Sequence, residues 1–124
     1  MSRIKARNTT PELALRKALR AIGQTGYRLH YAKAPGRPDV AFVGAKVAVF
    51  VHGCFWHGCP HCALRKPKSN TAFWSQKLDA NKARDARKVR ELRRAGWRVL
   101  TVWECRLKKN AEVQARRVIR LLAA

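Results

Sequence analysis

Four cysteines form the densest group of metal-ligand side chains in the sequence. Cys54, Cys59 and Cys62 follow a C-x4-C-x2-C spacing, and Cys105 lies 43 residues further on. Thiolates on a tight turn can share one tetrahedral Zn²⁺, and a closed set of four is typical of a structural site. Disulfides or unrelated buried thiols are the alternative, and His61 can replace one sulfur. We favour zinc, because the N-terminus lacks a secretory signal and a reducing cytoplasm is expected.

Acidic and histidine side chains form a second group with possible chemistry. Asp39 opens a predicted strand after the loop 35–38, and the predicted partner strand ends at His52, so a carboxylate and an imidazole can meet at one edge of the sheet. A carboxylate joined by a backbone carbonyl and phosphate oxygens suits Mg²⁺, and histidine exchanges protons near neutral pH. Taken singly, Asp39 and Glu12 are more simply surface acids in salt bridges. Asp39 together with His52 and His57 favours a hydrolytic site.

Two aromatic residues, Phe55 and Trp56, lie inside the same loop between the two histidines. They either form a small core beside the zinc site or enter a base step of DNA, as apolar side chains do in proteins that kink the duplex. The spacing alone leaves both interpretations open.

A capped helix is the first element that the pattern predicts. Thr10 has the character of an N-cap, Pro11 suits the first helical position, and Gly23 follows the last turn. The apolar stripe that should face a sheet consists of Leu15, Ala18, Leu19 and Ile22.

Three strands should follow this helix. Residues 27–31 suit a short strand, in which His30 is interpreted as structural. Residues 39–43 and 46–51 are two β-rich runs joined across a Gly-Ala pair, which predicts a hairpin. The second run is apolar almost throughout, as expected of a central strand covered on both faces.

A long helix, a fourth strand and a last helix complete the prediction, at residues 71–95, 97–103 and 111–122. The apolar face predicted for the long helix comprises Leu78, Ala86, Val89 and Leu92. The order of elements predicts a single α/β domain over residues 1–124 with a mixed sheet.

The charge of the chain narrows its possible partners. Its 124 residues include 28 Lys and Arg against 7 Asp and Glu, a net charge of +21, while 47% of residues are hydrophobic. A disordered basic tail would lack this apolar content, and no run is long enough to span a membrane. The cations concentrate at 65–68, 77–94 and 106–120. A folded domain with this charge is expected to bind a polyanion, with nucleic acid the leading candidate.

Several strings in the sequence resemble one enzyme family. These are PGRPD (35–39), VHGCFWHGCP (51–60), GWRVL (96–100) and WEC (103–105), and together they resemble the very short patch repair (Vsr) DNA mismatch endonucleases. The resemblance implies a restriction-endonuclease-like fold of the PD-(D/E)xK type. It also implies Mg²⁺-dependent nicking of DNA on the 5′ side of the thymine in a T:G mismatch left by deamination of 5-methylcytosine. A related nuclease with another specificity and a non-catalytic, zinc-stapled DNA-binding protein remain alternatives.

The resemblance also implies catalytic roles. Asp39 matches the metal-binding aspartate, and Val51 stands where a backbone carbonyl completes the Mg²⁺ site, which would hold two ions. His57 matches a catalytic position of the family, and we assign to it proton transfer to or from the attacking water. Glu12 and His52 match residues that orient water of the metal ion.

Further matches concern zinc and DNA. Phe55 and Trp56 match aromatics that intercalate beside the mismatch, which favours the wedge interpretation, and Met1 matches a methionine that inserts from the other groove. Lys77 and Asn81 resemble groups that contact the mismatched bases. The ligands of one structural Zn²⁺ would be Cys54, Cys59, Cys62 and Cys105.

The resemblance implies a cellular setting as well. The expected partner is double-stranded DNA carrying a T:G mismatch, and mismatch-repair proteins are further candidate partners. The protein is expected to act as a monomer in the bacterial cytoplasm, at the nucleoid.

Overall fold

The computed structural model describes residues 9–54, 59 and 71–123. Within them, a four-stranded sheet is packed between helices, with a short helix after the last strand. The elements in chain order are α1 (Thr10–Ala21), β1 (Arg28–Leu29), β2 (Val40–Phe42), β3 (Val47–His52), α2 (Thr71–Arg94), β4 (Arg98–Trp103), α3 (Glu104–Lys109) and α4 (Ala111–Ala123).

The sheet has the order β1-β2-β3-β4, with β1, β2 and β3 antiparallel and β4 parallel to β3. The predicted hairpin and the mixed α/β sheet are therefore confirmed, and β3 is the central strand. Val40 pairs with Val49, and His52 pairs with Trp103. The start of β2 and the ends of β3 and β4 consequently lie at the same end of the sheet, which we call the carboxyl end.

Helix α1 begins at Thr10, so its cap, Thr9, lies one residue before the predicted cap. The hydroxyl of Thr9, not Thr10, accepts the Glu12 N–H at 3.4 Å, and Thr10 is already helical. Consecutive threonines made the two positions indistinguishable by residue type. Gly23 follows the helix with φ +80°, a left-handed conformation that glycine adopts at little cost. The cap places Glu12 in the first turn, where its side chain is buried.

Successive side chains of β3 point to opposite faces of the sheet, so the core consists of two buried clusters. Val47 and Val49 pack with Leu15 and Leu19 of α1 and with Val118 of α4. On the opposite face, the buried cluster contains Ala34, Ala41, Ala48, Phe50, Leu92 and Trp97. Since successive strand side chains point to opposite faces, α1 and α4 cover one face and α2 the other.

The apolar face of α2 was predicted incorrectly at one position. Leu78 and Leu92 are buried and Val89 is half-buried, as expected, but Ala86 is exposed. The half-buried polar residue Asp85 lies on the packed face instead. Residue 85 is seven positions from both leucines, which is two helical turns, whereas residue 86 is rotated about 100° further around the helix.

The short helix α3 was missed by the sequence analysis. It starts directly after β4, so Cys105 lies in its first turn and not at the end of the strand. Leu107 is its buried residue. A six-residue helix is too short to show a reliable apolar period, so the pattern carried no signal for it.

Candidate active site

Three ionisable side chains meet at the carboxyl end of the sheet. Glu12, His30 and Asp39 each offer a ligand atom, and these atoms all lie within 4.8 Å of one another. We call them the acidic cluster. They come from the first turn of α1, the residue after β1 and the residue before β2, so the fold joins three separate segments at one point.

The sheet register explains why His30 and Asp39 are neighbours. β1 pairs with β2 through Leu29 and Val40, and extending this antiparallel register by one residue places His30 opposite Asp39. The His30 N–H donates to the Asp39 carbonyl oxygen at 3.1 Å. His30 has φ +48°, in the left-handed region where histidine is enriched among non-glycine residues. Its interpretation as a structural strand residue did not anticipate this position.

The loop before Asp39 packs tightly on α2. Gly36 has φ +73°, and a Cβ built there would lie 2.7 Å from the Cβ of Lys88. A side chain at position 36 would therefore push the loop away from the helix, and only glycine permits the close approach. This packing fixes the segment that carries Asp39 into β2.

Asp39 carries a strongly perturbed carboxyl group. Burial is the largest influence and raises its pKa from 3.8 to about 6; Glu12 also raises the pKa, whereas the Val51 N–H lowers it. That N–H donates to Asp39 Oδ2 at 2.7 Å. The ionised carboxylate is thus costly in the isolated protein, and a nearby cation would stabilise it. A carboxyl group perturbed in this way is a candidate for function.

Glu12 is buried more deeply, with an exposure of 2%. Its Oε2 lies 2.8 Å from His30 Nε2 and 3.6 Å from Arg16 Nη1. Two nitrogen donors therefore hold one oxygen of this carboxylate. A buried acid needs such partners, because an isolated buried charge is strongly unfavourable.

The acidic cluster has the composition of a divalent cation site. Carboxylate oxygens are the preferred ligands of Mg²⁺, which is commonly held by one or two of them together with water and phosphate oxygens. The raised pKa of Asp39 is the independent sign that positive charge would be favourable there. The residues present therefore fit a divalent metal ion, and Glu12 and Asp39 are the acidic ligand candidates.

His52 ends β3 beside Val51, and alternation turns its side chain toward the α2 face. Its ring centroid lies 5.2 Å from that of Trp103 in an edge-on arrangement, and its Nε2 is 4.0 Å from Asp85 Oδ1. The Val51–Asp39 hydrogen bond brings the end of β3 to the acidic cluster, as expected from the hairpin. The Asp85 contact was not anticipated, because pairing between a strand and a distant helix leaves no local pattern.

The cysteines form a second cluster at the same end of the sheet. The Sγ atoms of Cys54, Cys59 and Cys105 lie within 4.8 Å of one another, and all three are free thiols. Cys59 Sγ and Cys105 Sγ are 3.7 Å apart. Tetrahedral Zn–S bonds of about 2.3 Å separate sulfurs by about 3.8 Å, whereas a disulfide requires about 2.05 Å. The thiol cluster therefore fits Zn²⁺, and the disulfide alternative is wrong for these three residues.

Main-chain contacts hold the thiol cluster against α3. Glu104 Oε1 accepts the Cys54 N–H at 3.2 Å, and Cys54 Sγ accepts the Cys105 N–H at 3.3 Å. The Cys59 N–H donates to the Cys54 carbonyl at 3.0 Å. The segment after β3 is thus joined to the segment after β4, as the cysteine spacing predicted.

Five predicted site residues lie outside the described residues. They are Met1, Phe55, Trp56, His57 and Cys62. Their assigned roles stay predictions.

The predicted base-contacting residues lie on α2. Lys77 is exposed and Asn81 is half-buried, and the Asn81 Oδ1 accepts a hydrogen bond from Arg84 Nη1 at 3.2 Å. One turn earlier, Phe73 is 57% exposed and packs edge-on against Trp74, with ring centroids 5.5 Å apart. The sequence analysis did not single out this aromatic pair, although its position four residues before Lys77 was visible.

Cations cover the outer surface of α2. Its exposed basic side chains are Lys77, Lys82, Arg84, Arg87, Arg90, Arg93 and Arg94. This places much of the charge on one helix that packs over the sheet. Over the described ranges, every helix is too short or too polar to cross a bilayer.

Comparisons with known proteins show the family to which the chain is similar. Residues 1–64 match the family model described as DNA mismatch endonuclease Vsr. The chain is 44% identical over 116 residues to the type II nicking enzyme V.XorIIP of Xanthomonas oryzae pv. oryzae, covering 94% of this chain and 85% of that protein. It is 40% identical to the type II nicking enzyme V.NmeAIP of Neisseria meningitidis, over 90% of this chain and 79% of that one. It is 42% identical to the DNA mismatch endonuclease Vsr of Escherichia coli K12, over 87% and 69% of the two chains.

Proposed function

Because this chain belongs to the Vsr family of DNA mismatch endonucleases, we propose that it nicks one strand of duplex DNA on the 5′ side of the thymine in a T:G mismatch, using Mg²⁺. The observation that carries the proposal is the acidic cluster, in which the perturbed Asp39 carboxyl meets Glu12 at the end of β3. Carboxylates brought together in this way can hold a metal ion that assists hydrolysis of a phosphodiester.

Asp39 and the Val51 carbonyl are the proposed metal ligands. The Val51 N–H already donates to Asp39. In a strand, the N–H and C=O of one residue point toward the same neighbouring strand, so the Val51 carbonyl is directed to the side where Asp39 lies. Carbonyl and carboxylate oxygens both suit Mg²⁺, and two ions are proposed when DNA supplies phosphate oxygens.

The proposed chemistry is attack of water on the scissile phosphorus. Bound Mg²⁺ would supply positive charge that stabilises the charge developing on the phosphate oxygens. Glu12 and His52 orient the attacking water, and His57 exchanges its proton. Asp85 supports this role for His52, since its carboxylate lies 4.0 Å from Nε2 and helps to orient the ring.

Zinc has a separate, structural role in this proposal. Cys54, Cys59, Cys62 and Cys105 form a closed ligand set, so the ion has no open position for substrate. It would join the segment after β3 to α3, and the predicted loop of residues 55–58 lies between its first two ligands in the sequence. Phe55 and Trp56 in this loop, with Met1, are proposed to enter the base steps beside the mismatch. Unstacking costs a few kcal/mol per step, offset by new contacts.

The basic surface of α2 supplies affinity for DNA in the proposal. Phosphate contacts carry no sequence information, so discrimination of the mismatch is assigned to Lys77 and Asn81. We further propose a restriction-endonuclease-like, single-domain enzyme over residues 1–124 that acts as a monomer, with mismatch-repair proteins as further candidate partners.

A second candidate is a nicking enzyme with a different specificity. It is favoured by the names of several relatives, which are called type II nicking enzymes and not mismatch endonucleases. The chemistry and the metal ligands would be the same. The two candidates differ only in the duplex that is cut.

The test is a nicking assay on end-labelled duplexes that contain T:G, the other mismatches or paired bases in several sequence contexts. We expect Mg²⁺-dependent nicking beside T:G, and a loss of three orders of magnitude or so in Asp39→Asn, because the metal ion contributes several kcal/mol to transition-state stabilisation. Glu112→Gln is the matched control, since this acid is exposed on α4 and pairs with Arg116. Equal cutting of T:G and T:A duplexes would support the second candidate. DNA binding without nicking on every substrate would leave only a non-catalytic binding protein.

A further inference from the structure

His30 contacts both acids of the proposed active site through different atoms. Its ring Nε2 lies 2.8 Å from Glu12 Oε2, while its main-chain N–H donates to the Asp39 carbonyl at 3.1 Å. We propose that His30 is a positioning residue, which holds the Glu12 carboxylate in a fixed orientation beside Asp39. This inference rests on the metal-dependent nuclease function proposed above.

The hydrogen-bond chemistry gives the ring a defined role. An ionised carboxylate only accepts hydrogen bonds, so His30 Nε2 carries the proton and donates it to Glu12. The donated bond removes rotational freedom from a side chain that otherwise turns about three torsions. Glu12 is thereby held against Asp39 despite their mutual repulsion, which contributes to the raised pKa of Asp39.

The backbone of His30 supports a functional role. A φ of +48° is unfavourable for residues other than glycine, with Asn, Asp and His the least affected. Such strain is concentrated at functional sites, where the surrounding structure maintains it. In this conformation the register with β2 is kept while the ring reaches across to α1, so one residue connects two elements.

The burial of the pair adds to its strength. Glu12 has 2% of its side chain exposed and His30 has 14%. Hydrogen bonds to charged groups are stronger than neutral ones, and a partly dry environment screens them little. Arg16 also approaches Glu12 Oε2, but at 3.6 Å and from the same helix, so it does not connect α1 to the sheet.

Two amide substitutions separate a positioning role from a structural one. Gln places its amide nitrogen at the ε position, as far along the side chain as His Nε2, whereas the amide of Asn is one bond shorter. Asn, however, tolerates left-handed backbone better than Gln. His30→Gln should therefore preserve positioning, and His30→Asn should preserve the backbone alone.

The experiment measures Mn²⁺ affinity of the DNA-free protein by electron paramagnetic resonance, with Mg²⁺-dependent nicking as a second readout. We expect His30→Asn to weaken Mn²⁺ binding and nicking by about tenfold to a hundredfold, the usual effect of losing an outer-shell partner, because Glu12 would no longer be held where it orients the water of the metal ion. His30→Gln should stay close to the unsubstituted protein. The thermal unfolding midpoint of each variant is measured in parallel to confirm folding.

A double-substitution cycle tests whether His30 acts through Glu12. Combining His30→Asn with Glu12→Gln should weaken Mn²⁺ affinity no further than Glu12→Gln alone, because the two residues form one unit. Additive losses would overturn the proposal. A His30→Gln variant that binds Mn²⁺ as weakly as His30→Asn would also overturn it, since the ring would then be a direct ligand. Failure of the unsubstituted protein to nick any duplex would instead contradict the proposed function, and the Mn²⁺ series would still decide the role of His30.

Discussion

The acidic cluster and the thiol cluster lie at the same end of one sheet but are built in opposite ways. Cys54 and Cys59 are five residues apart in the sequence and are joined by Cys105 from the start of α3, and the N–H groups of Cys59 and Cys105 both donate to Cys54. The acidic cluster gathers three separate segments and contains a carboxyl group whose pKa is raised to about 6 by burial. The thiol cluster is proposed to close around a zinc ion, whereas ionisation of Asp39 is unfavourable where it lies.

We expect the thiol cluster to serve the stability of the protein and the acidic cluster to serve its chemistry. A zinc ion held by four thiolates, as proposed, would leave no position for substrate and would contribute to folding. A divalent cation held by the acidic cluster, as proposed, would keep coordination positions for water and phosphate oxygens and would therefore be exchangeable. Removing the two metals should therefore affect different properties of the protein.

Removal of zinc is expected to have the largest effect. A strong chelator, or Cys54→Ser, should lower the thermal unfolding midpoint markedly and abolish nicking. The reason is that binding of Zn²⁺ to a structural site contributes on the order of 10 kcal/mol to the folding of small domains. Calorimetry and zinc analysis measure this. Removal of Mg²⁺ alone should stop nicking without lowering the midpoint. A chelated protein that unfolds at an unchanged temperature would mean that the two clusters do not differ as we describe.

Asp39→Asn should stabilise the metal-free protein at neutral pH. The folded-state pKa of Asp39 is raised from 3.8 to about 6, so ionisation of this group opposes folding. The favourable contribution is fully present below the unfolded value and is lost as pH rises through the folded value. A shift of this size corresponds to about 3 kcal/mol. The amide can still accept the Val51 N–H.

Chemical denaturation at pH 4 and pH 7.5 measures this effect. The variant should exceed the unsubstituted protein in unfolding free energy at pH 7.5, and the two should converge near pH 4. A difference that does not vary with pH would remove the electrostatic explanation. Glu112→Gln, at an exposed ion pair, should change little at either pH.

Glu104→Gln tests the support of the thiol cluster. Its carboxylate accepts the Cys54 N–H at 3.2 Å, and Lys108 lies 3.5 Å from its other oxygen. We expect zinc affinity to fall by about tenfold or somewhat more, as is usual when a residue that orients a ligand is changed. Competition with a chromophoric chelator measures it. Unchanged zinc affinity combined with weaker DNA nicking would assign Glu104 to the active site instead.

Single cation substitutions on α2 should give the smallest effect. Replacing Arg87 by Gln should reduce the slope of log K against log salt by about 0.9 if the side chain contacts one phosphate. Binding to T:G and T:A duplexes should weaken equally, since phosphate contacts carry no sequence information. Arg116→Gln on α4 is the control, because this guanidinium is paired with Glu112. An equal change of slope in both variants would indicate that DNA contacts α4 as well as α2.

Predictions from the sequence were correct where a feature depends on local residues and wrong where it depends on distant contacts. β3 was recognised as a central strand because continuous apolar character needs no knowledge of its neighbours. The short spacing of Cys54 and Cys59 is local in the same sense, whereas Cys105 was assigned to the cluster by its residue type, because a thiolate site needs further sulfur ligands. The helix α3 and the exposure of Ala86 were missed or wrong, because a short helix and a shifted helix face depend on what packs against them.

The sequence by itself determined which residues are available for chemistry and which segments are helical or extended, because these depend on residue type and local spacing. Only the tertiary structure decided that His30 holds Glu12, that Val51 donates to Asp39, and that Asp85 approaches His52. Each of these contacts joins segments that strand register and helix packing bring together. The whole core stabilises these arrangements, so no short stretch of sequence predicts them.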